Sequence, residues 1–207
     1  MPDLGLFPLR LVVFPGERLP LHIFEPRYRE LIATCIDEDG EFGILLADAD
    51  GLRRIGTRVA VVEVIDRHED GRLNIVVEGR SRFSLVALTS GSAFQTAEVD
   101  PVEDEPDAAD ATVREHALHL LSALADAAGV AVELPDPDSP QLSFAIAARV
   151  ELELEDEQAL LELRSERERL HRLAELLAEA AVQARVVRET ATKAKTNGHL
   201  PHTPELP

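Results

Sequence analysis

Two proline-containing dipeptides, Pro15-Gly16 and Glu25-Pro26, constrain this chain most, because they punctuate its apolar stretch 6–36 into short segments. Proline fixes φ and the glycine after it accepts positive φ, so Pro15-Gly16 marks a turn between two apolar runs, 9–14 and 19–24, that read as strands. Glu25 precedes a proline and is held extended. Pro26 at a first helical position gives up no hydrogen bond the helix needs, which makes Glu25 the expected N-cap. From there Tyr28, Leu31, Ile32, Cys35 and Ile36 recur at helical spacing as one apolar stripe, with Arg27, Glu30, Thr34 and Asp37 off it.

The rest of the first half reads as strands. Gly40 is expected to close the first helix, and FGILLA at 42–47 is a continuous apolar strand of the kind covered on both faces. TRVAVVEVID follows, and Asp70-Gly71 then turns the chain into RLNIVVEG. A further turn at Gly79 leads to RFSLVAL, and another at 89–92 leads to FQTAEV. Six or seven short strands at this spacing suit a small barrel or sandwich.

Near Asp100 the character changes. DPVEDEPDAAD holds acids, two prolines and no base, and reads as a solvated linker. Val113, Ala117, Leu120, Leu121 and Leu124 then mark a helix ending at Gly129. Ser139 and Pro140 give the next helix start, ELELEDE has both strand and helix periods, and Ser165 with Glu168 is a capping box. That box opens a last helix striped by Leu170, Leu173, Leu177, Ala181, Ala184 and Val187. After 191 the periodicity ends.

The ordered series FPLR, VVFPG, LPLHIFEPRYREL, FGILL, IGTRVAVVEV, DGRL and EGRSRF, continued by QALLEL and ERERLHRL, resembles the N-terminal substrate-binding domain of the Lon protease family. The resemblance covers most of the chain and implies an α+β fold: a PUA-like β-barrel with one early helix, then a C-terminal helical bundle ending in a long helix. The expected division is 1–102 for the β-rich subdomain, 107–191 for the helices and 192–207 for a mobile tail. It further implies a free-standing recognition domain, without the family's ATPase and protease parts.

Charge and chemistry narrow the function. With 21 basic against 39 acidic residues the net charge is -18, which disfavours nucleic acid and an anionic membrane surface as partners. No apolar run reaches the ~18 residues of a membrane span, and with no leader pattern at the N-terminus the expected location is cytoplasmic. Both lysines, Lys193 and Lys195, fall in the expected tail. No lysine is therefore placed to hold a nucleotide phosphate or to form the Ser-Lys pair that full Lon proteases would imply. His116 and His119 lack a third ligand, and the lone Cys35 lies on a buried stripe. No catalytic residue, metal or cofactor is expected.

What remains is binding. Arg27, Arg29 and Glu30 at the start of the first helix form one candidate contact surface, and an exposed apolar turn of Phe14, Pro15 and Leu19 forms another. A free strand edge is a third. The expected partners are unfolded polypeptides or a partner protein. One alternative is a structural or regulatory protein assembling, as a homodimer for example, through its last helix; a stand-alone hydrolase is the other.

Overall fold

The structure, a computed structural model, describes residues 3–49, 51–89 and 93–197. In chain order, β1 (Leu4–Leu9), β2 (Arg18–Ile23), α1 (Pro26–Asp37), β3 (Glu41–Asp48) and β4 (Gly51–Leu52) come first. The long strands β5 (Ile55–Arg67) and β6 (Leu73–Thr89) follow, then β7 (Thr96–Val102). The helices α2 (Ala111–Ala128), α3 (Leu142–Ala147), α4 (Leu154–Glu162) and α5 (Glu166–Asn197) complete the described chain.

Strand β6 is the hub of the sheet. Its first half lies between β2 and β5, its second between β5 and β7, all antiparallel. β1 pairs with β7 on one side and, in parallel, with β3 on the other, while β3 pairs back to β5. The pairings β1, β7, β6, β5 and β3 thus return on themselves, with β2 added beside β6.

Two strand expectations change. The first strand is 4–9 rather than 9–14, and it does not pair with β2. Val12, Val13 and Phe14 are buried outside any strand, where their side chains fill the two largest cores instead of joining a ladder. The expected turn at Gly79 is absent, and RLNIVVEG and RFSLVAL form the single strand β6. Gly79 is instead where the Pro15-Gly16 turn docks: Gly16 N donates to the Gly79 carbonyl and Gly79 N to the Glu17 carbonyl, both at 2.9 Å. A Cβ there would lie 2.2 Å from the Phe14 carbonyl oxygen, so only glycine allows this approach. The other expected turn, 89–92, lies mostly outside the described residues.

Helix α1 begins as expected, with Glu25 extended and Pro26 at the first turn, but the Glu25 side chain makes no cap hydrogen bond. Tyr28, Leu31, Ile32 and Cys35 are buried in the core that α1 shares with β1, β3 and β5. At its end Asp39, not Gly40, takes the left-handed conformation, with φ 51°. Helix α2 is capped by the Asp110 carboxylate, which accepts from Val113 N at 3.0 Å, and it ends at Gly129 with φ 73°. Helix α3 starts at Leu142, later than the Ser139-Pro140 signal, because Ser139 Oγ accepts from Gln141 N and holds a turn ahead of the helix. ELELEDE resolves as a helix start, with Glu155, Asp156 and Glu157 at the positive end of α4. Ser165 caps α5 through Glu168 N at 3.1 Å. Leu170, Leu173, Leu177 and Ala181 are buried, largely where α5 lies along α2, whereas Val187 is 67% exposed. α5 continues to Asn197, past residue 191, and 198–207 lie outside the described residues.

Candidate binding surface

The first turn of α1 faces the hairpin between β5 and β6, and a cleft of 590 Å³ separates them. Pro26, Arg29, Glu30 and Ala33 line it from the helix; Arg67, His68, Glu69, Asp70 and Gly71 line it from the hairpin. Arg29 crosses the cleft, its Nη1 donating to the Asp70 carbonyl at 2.5 Å. Gly71 has φ 85°, and a Cβ on it would sit 2.7 Å from that same guanidinium nitrogen. The hairpin tip is braced by the Asp70 carboxylate, which accepts from Arg72 N at 3.1 Å and Arg72 Nε at 2.7 Å. The hydrogen bond from the Arg72 backbone, aided by its side chain, holds the Asp70 carboxyl below its ordinary range.

The candidate charged residues are partly engaged within the molecule. Arg27 pairs with Glu25 at 2.9 Å and lies over the Tyr28 ring, 4.4 Å from its centroid. Arg29 ties helix to hairpin. Glu30 is exposed, and its backbone carbonyl accepts from the Thr34 hydroxyl. The sequence marks Asp70-Gly71 as a turn but carries no local sign that this turn faces α1. Periodicity speaks to neighbours in the chain, not to residues 41 positions apart.

The apolar turn is not exposed. Phe14 is 2% exposed and its ring stacks on Phe144, centroids 5.5 Å apart, while Pro15 is buried and Leu19 half-buried. Docking on Gly79 from one side and coverage by α3 from the other account for this.

Beyond the cleft, the outer face of β2, β6 and β5 carries a small polar chain. His22 Nδ1 lies 2.7 Å from Asn74 Oδ1, and Asn74 Nδ2 lies 3.3 Å from His68 Nε2. His22 also stacks on Phe24, which is 60% exposed. These two histidines do not complete a metal site, and among the described residues no group of three or more His, Cys, Asp or Glu is placed to hold a metal ion. Burial, reinforced by the Glu38 charge, pushes the Cys35 thiol up to about 11, so it stays protonated near neutral pH.

Elsewhere, strands meet helices through a buried ion network that the sequence did not reveal. Arg169 is fully buried and Arg82 nearly so; both grip Asp104 from the acidic connection after β7. Arg82 Nη1 also donates to the carbonyls of Leu161 and Leu163, at 2.7 and 2.6 Å. Arg169 adds Glu166 at 2.7 Å and Ser143 Oγ at 2.9 Å, and its guanidinium lies 4.2 Å from the Phe144 centroid. Burial pushes Arg82 down from its ordinary value. For Arg169, burial acts downward too, but the hydrogen bond to Asp104 and the charge of Glu166 outweigh it and its value is raised. The stretch expected to be a solvated linker is thus a structural tie: Asp104 holds both arginines, Asp107 accepts from Ser165 Oγ, and Asp110 caps α2.

With this geometry in view, comparison with known proteins is decisive. The family model for the ATP-dependent protease La (LON) substrate-binding domain matches residues 3–179. The chain belongs to this family. Lon protease 2 of Myxococcus xanthus is 28% identical over 192 residues, covering 84% of this chain and 23% of that protein. Protein cereblon of Xenopus tropicalis is 31% identical over a shorter stretch, 44% of this chain. A Lon N-terminal domain protein from Xanthomonas campestris has a similar structure, with TM-score 0.61 and 25% identity over 84% of this chain and 97% of that one. The N-terminal domain of Mycobacterium avium complex Lon protease shares the fold, with TM-score 0.65 at 21% identity, covering 86% of this chain and 98% of that one. The chain spans about a quarter of the length of the Lon proteases it matches. Membership in the Lon substrate-binding family implies a role in substrate recognition, and the match extends only to that domain.

Proposed function

We propose that this chain is a non-catalytic module that binds unfolded or partner polypeptide segments. The observation that carries the reading is the family match over residues 3–179 to a substrate-binding domain. The described surface fits it: a cleft with charged rims between α1 and the β5–β6 hairpin, beside an exposed apolar sheet face. Arg27, Arg29 and Glu30 orient the bound segment at the cleft mouth. The strongly negative net charge argues against nucleic acid and anionic membranes as partners, and no helix among the described residues is long and apolar enough to cross a membrane. The accompanying fold reading is a PUA-like β-barrel through residue 102, supported by the ring of strand pairings, joined to a helical bundle from 107. A cytoplasmic location goes with it.

The test is equilibrium binding of a labelled, permanently unfolded polypeptide, with an Arg27→Glu, Glu30→Arg variant beside the parent protein. Binding weakened in the folded variant supports the reading and places the cleft in the contact. No binding by the parent at about 100 μM, which corresponds to about -5.5 kcal/mol, sinks it. A second reading, assembly through α5, draws on the exposure of Val182, Val186 and Val187, and sedimentation at rising concentration tests it.

A further inference from the structure

The outer face of the β2–β6–β5 sheet exposes several large apolar side chains. Phe24 is 60% exposed, Ile65 55% and Val62 37%, and Pro20 is exposed beside them. Strand register places them together. Pro20 lies opposite Val76 and His22 opposite Asn74, while Val76 and Asn74 lie opposite Glu63 and Asp66 on β5. The register shifts between Val61 and Glu63 and between Val64 and Asp66 make Val62 and Ile65 the extra residues of two bulges, which turns both toward this face.

The edges of this sheet are poor templates for another strand. The Glu17 carbonyl accepts from Gly79 N, so by the two-residue period the odd residues Leu19, Leu21 and Ile23 bond to β6 and the even ones aim outward. The outward position at the centre of β2 is Pro20, which has no N–H to donate. On the other edge, the two bulges distort β5 beyond its pairing with β3. An occupant is therefore better held by side chains on the face than by backbone along the edge.

Charge selects the occupant. Glu63 and Asp66 border the apolar patch on β5, with Asp66 3.5 Å from His68; around the face Arg18 and Arg80 are paired with Glu78 and Arg72 with Asp70, and the whole protein carries -18. Resting on the polypeptide-binding reading above, we infer that this face docks an extended polypeptide segment whose apolar side chains are flanked by lysine or arginine. Valine, leucine or phenylalanine side chains of the segment lie against Phe24, Ile65, Val62 and Pro20, and its basic flanks reach Glu63 and Asp66.

The experiment is fluorescence anisotropy with short labelled peptides of valine, phenylalanine and serine, ending either in lysines or in glutamates. The parent protein is compared with Ile65→Asp, with Phe24→Asp and with Val130→Asp, which alters an exposed apolar residue of the helical side. The expected result is binding of the lysine-flanked peptide that is about tenfold tighter than that of the glutamate-flanked one. Ile65→Asp and Phe24→Asp each weaken it by about tenfold, and Val130→Asp leaves it unchanged. Equal affinity for the two peptides, or affinity indifferent to both face variants, overturns the inference. So does a dimer in sedimentation that dissociates on Ile65→Asp, which would make a second copy the occupant. If unfolded polypeptide still binds while both face variants behave like the parent, the docking face fails and the proposed function stands. If the parent binds no polypeptide at all, the function itself fails.

Discussion

The seam between strands and helices and the cleft beside α1 both use arginine, and they use it in opposite ways. At the seam, Arg82 and Arg169 are nearly or fully buried, each is held by several partners, and three helices, strand β6 and the connection after β7 converge. Around the cleft, Arg27 and Arg72 are exposed and Arg29 is half-buried, with partners two residues away or at a hairpin tip. A buried charge that loses its partner is costly, whereas an exposed pair contributes little. The seam therefore sets rigidity and the cleft retains freedom, which suits a support and a contact surface respectively.

The comparison breaks most sharply at Arg169. Arg169→Ala leaves Glu166 without this cation and Asp104 with Arg82 alone, and opens a void beside Phe144, so a loss of about 3–5 kcal/mol is expected in urea unfolding. Gly79→Ala comes next. Its Cβ meets the Phe14 carbonyl oxygen at 2.2 Å, forcing the Pro15-Gly16 turn off β6, and overpacking of this kind costs about 1–3 kcal/mol in the same measurement.

Acidity sharpens the comparison at a third place. Burial, with the Glu17 charge added, pushes Glu157 on α4 from 4.5 up to about 7, and burial raises Glu17 as well. A carboxyl raised in the folded state binds more protons there than in the unfolded chain, so stability falls as pH rises from about 4.5 to about 7 and the loss persists above. Glu157→Gln removes the effect. At pH 8 the variant is expected to be more stable by on the order of 1 kcal/mol, after allowing for solvent screening at a half-buried site. Near pH 4 the two should melt alike, as thermal unfolding across the pH range will check.

What the sequence discloses is local. Pro26, Gly129, Asp70-Gly71 and the Ser165 cap each state their structure through backbone chemistry, and the stripe of α1 and the leucines of α5 state their buried faces through period. What it conceals is set by contacts distant along the chain. Gly79 looks like a turn because glycine permits one, yet its role is to let a second backbone approach. Asp104 looks solvated because it sits among acids and prolines, yet two arginines 22 and 65 residues away claim it. The apolar turn looks like a contact surface only while α3, which covers it, is out of view. Of the candidate site, the α1 residues could be named from the helix pattern, but their hairpin neighbours could not.

The smallest effect tests the other side of the comparison. Arg29 donates one hydrogen bond to the Asp70 carbonyl across open solvent, so Arg29→Ala should change global stability by no more than about 0.5 kcal/mol. Its consequence is local. The hairpin tip is closed by Gly71 N donating to the His68 carbonyl and His68 N donating to the Arg72 carbonyl, both at 2.9 Å, and Arg29 is the only α1 side chain hydrogen-bonded to that tip among the described residues. Without it, the amides of Gly71 and His68 should exchange with solvent faster by hydrogen-exchange mass spectrometry or NMR, while those of β6 near Arg82 keep the parent rate. Faster exchange at both places would mean that cleft and seam are coupled, and that the contact surface borrows its shape from the buried network. Faster exchange at the tip alone would leave the cleft free to adjust to a bound segment while the seam holds the rest of the molecule still.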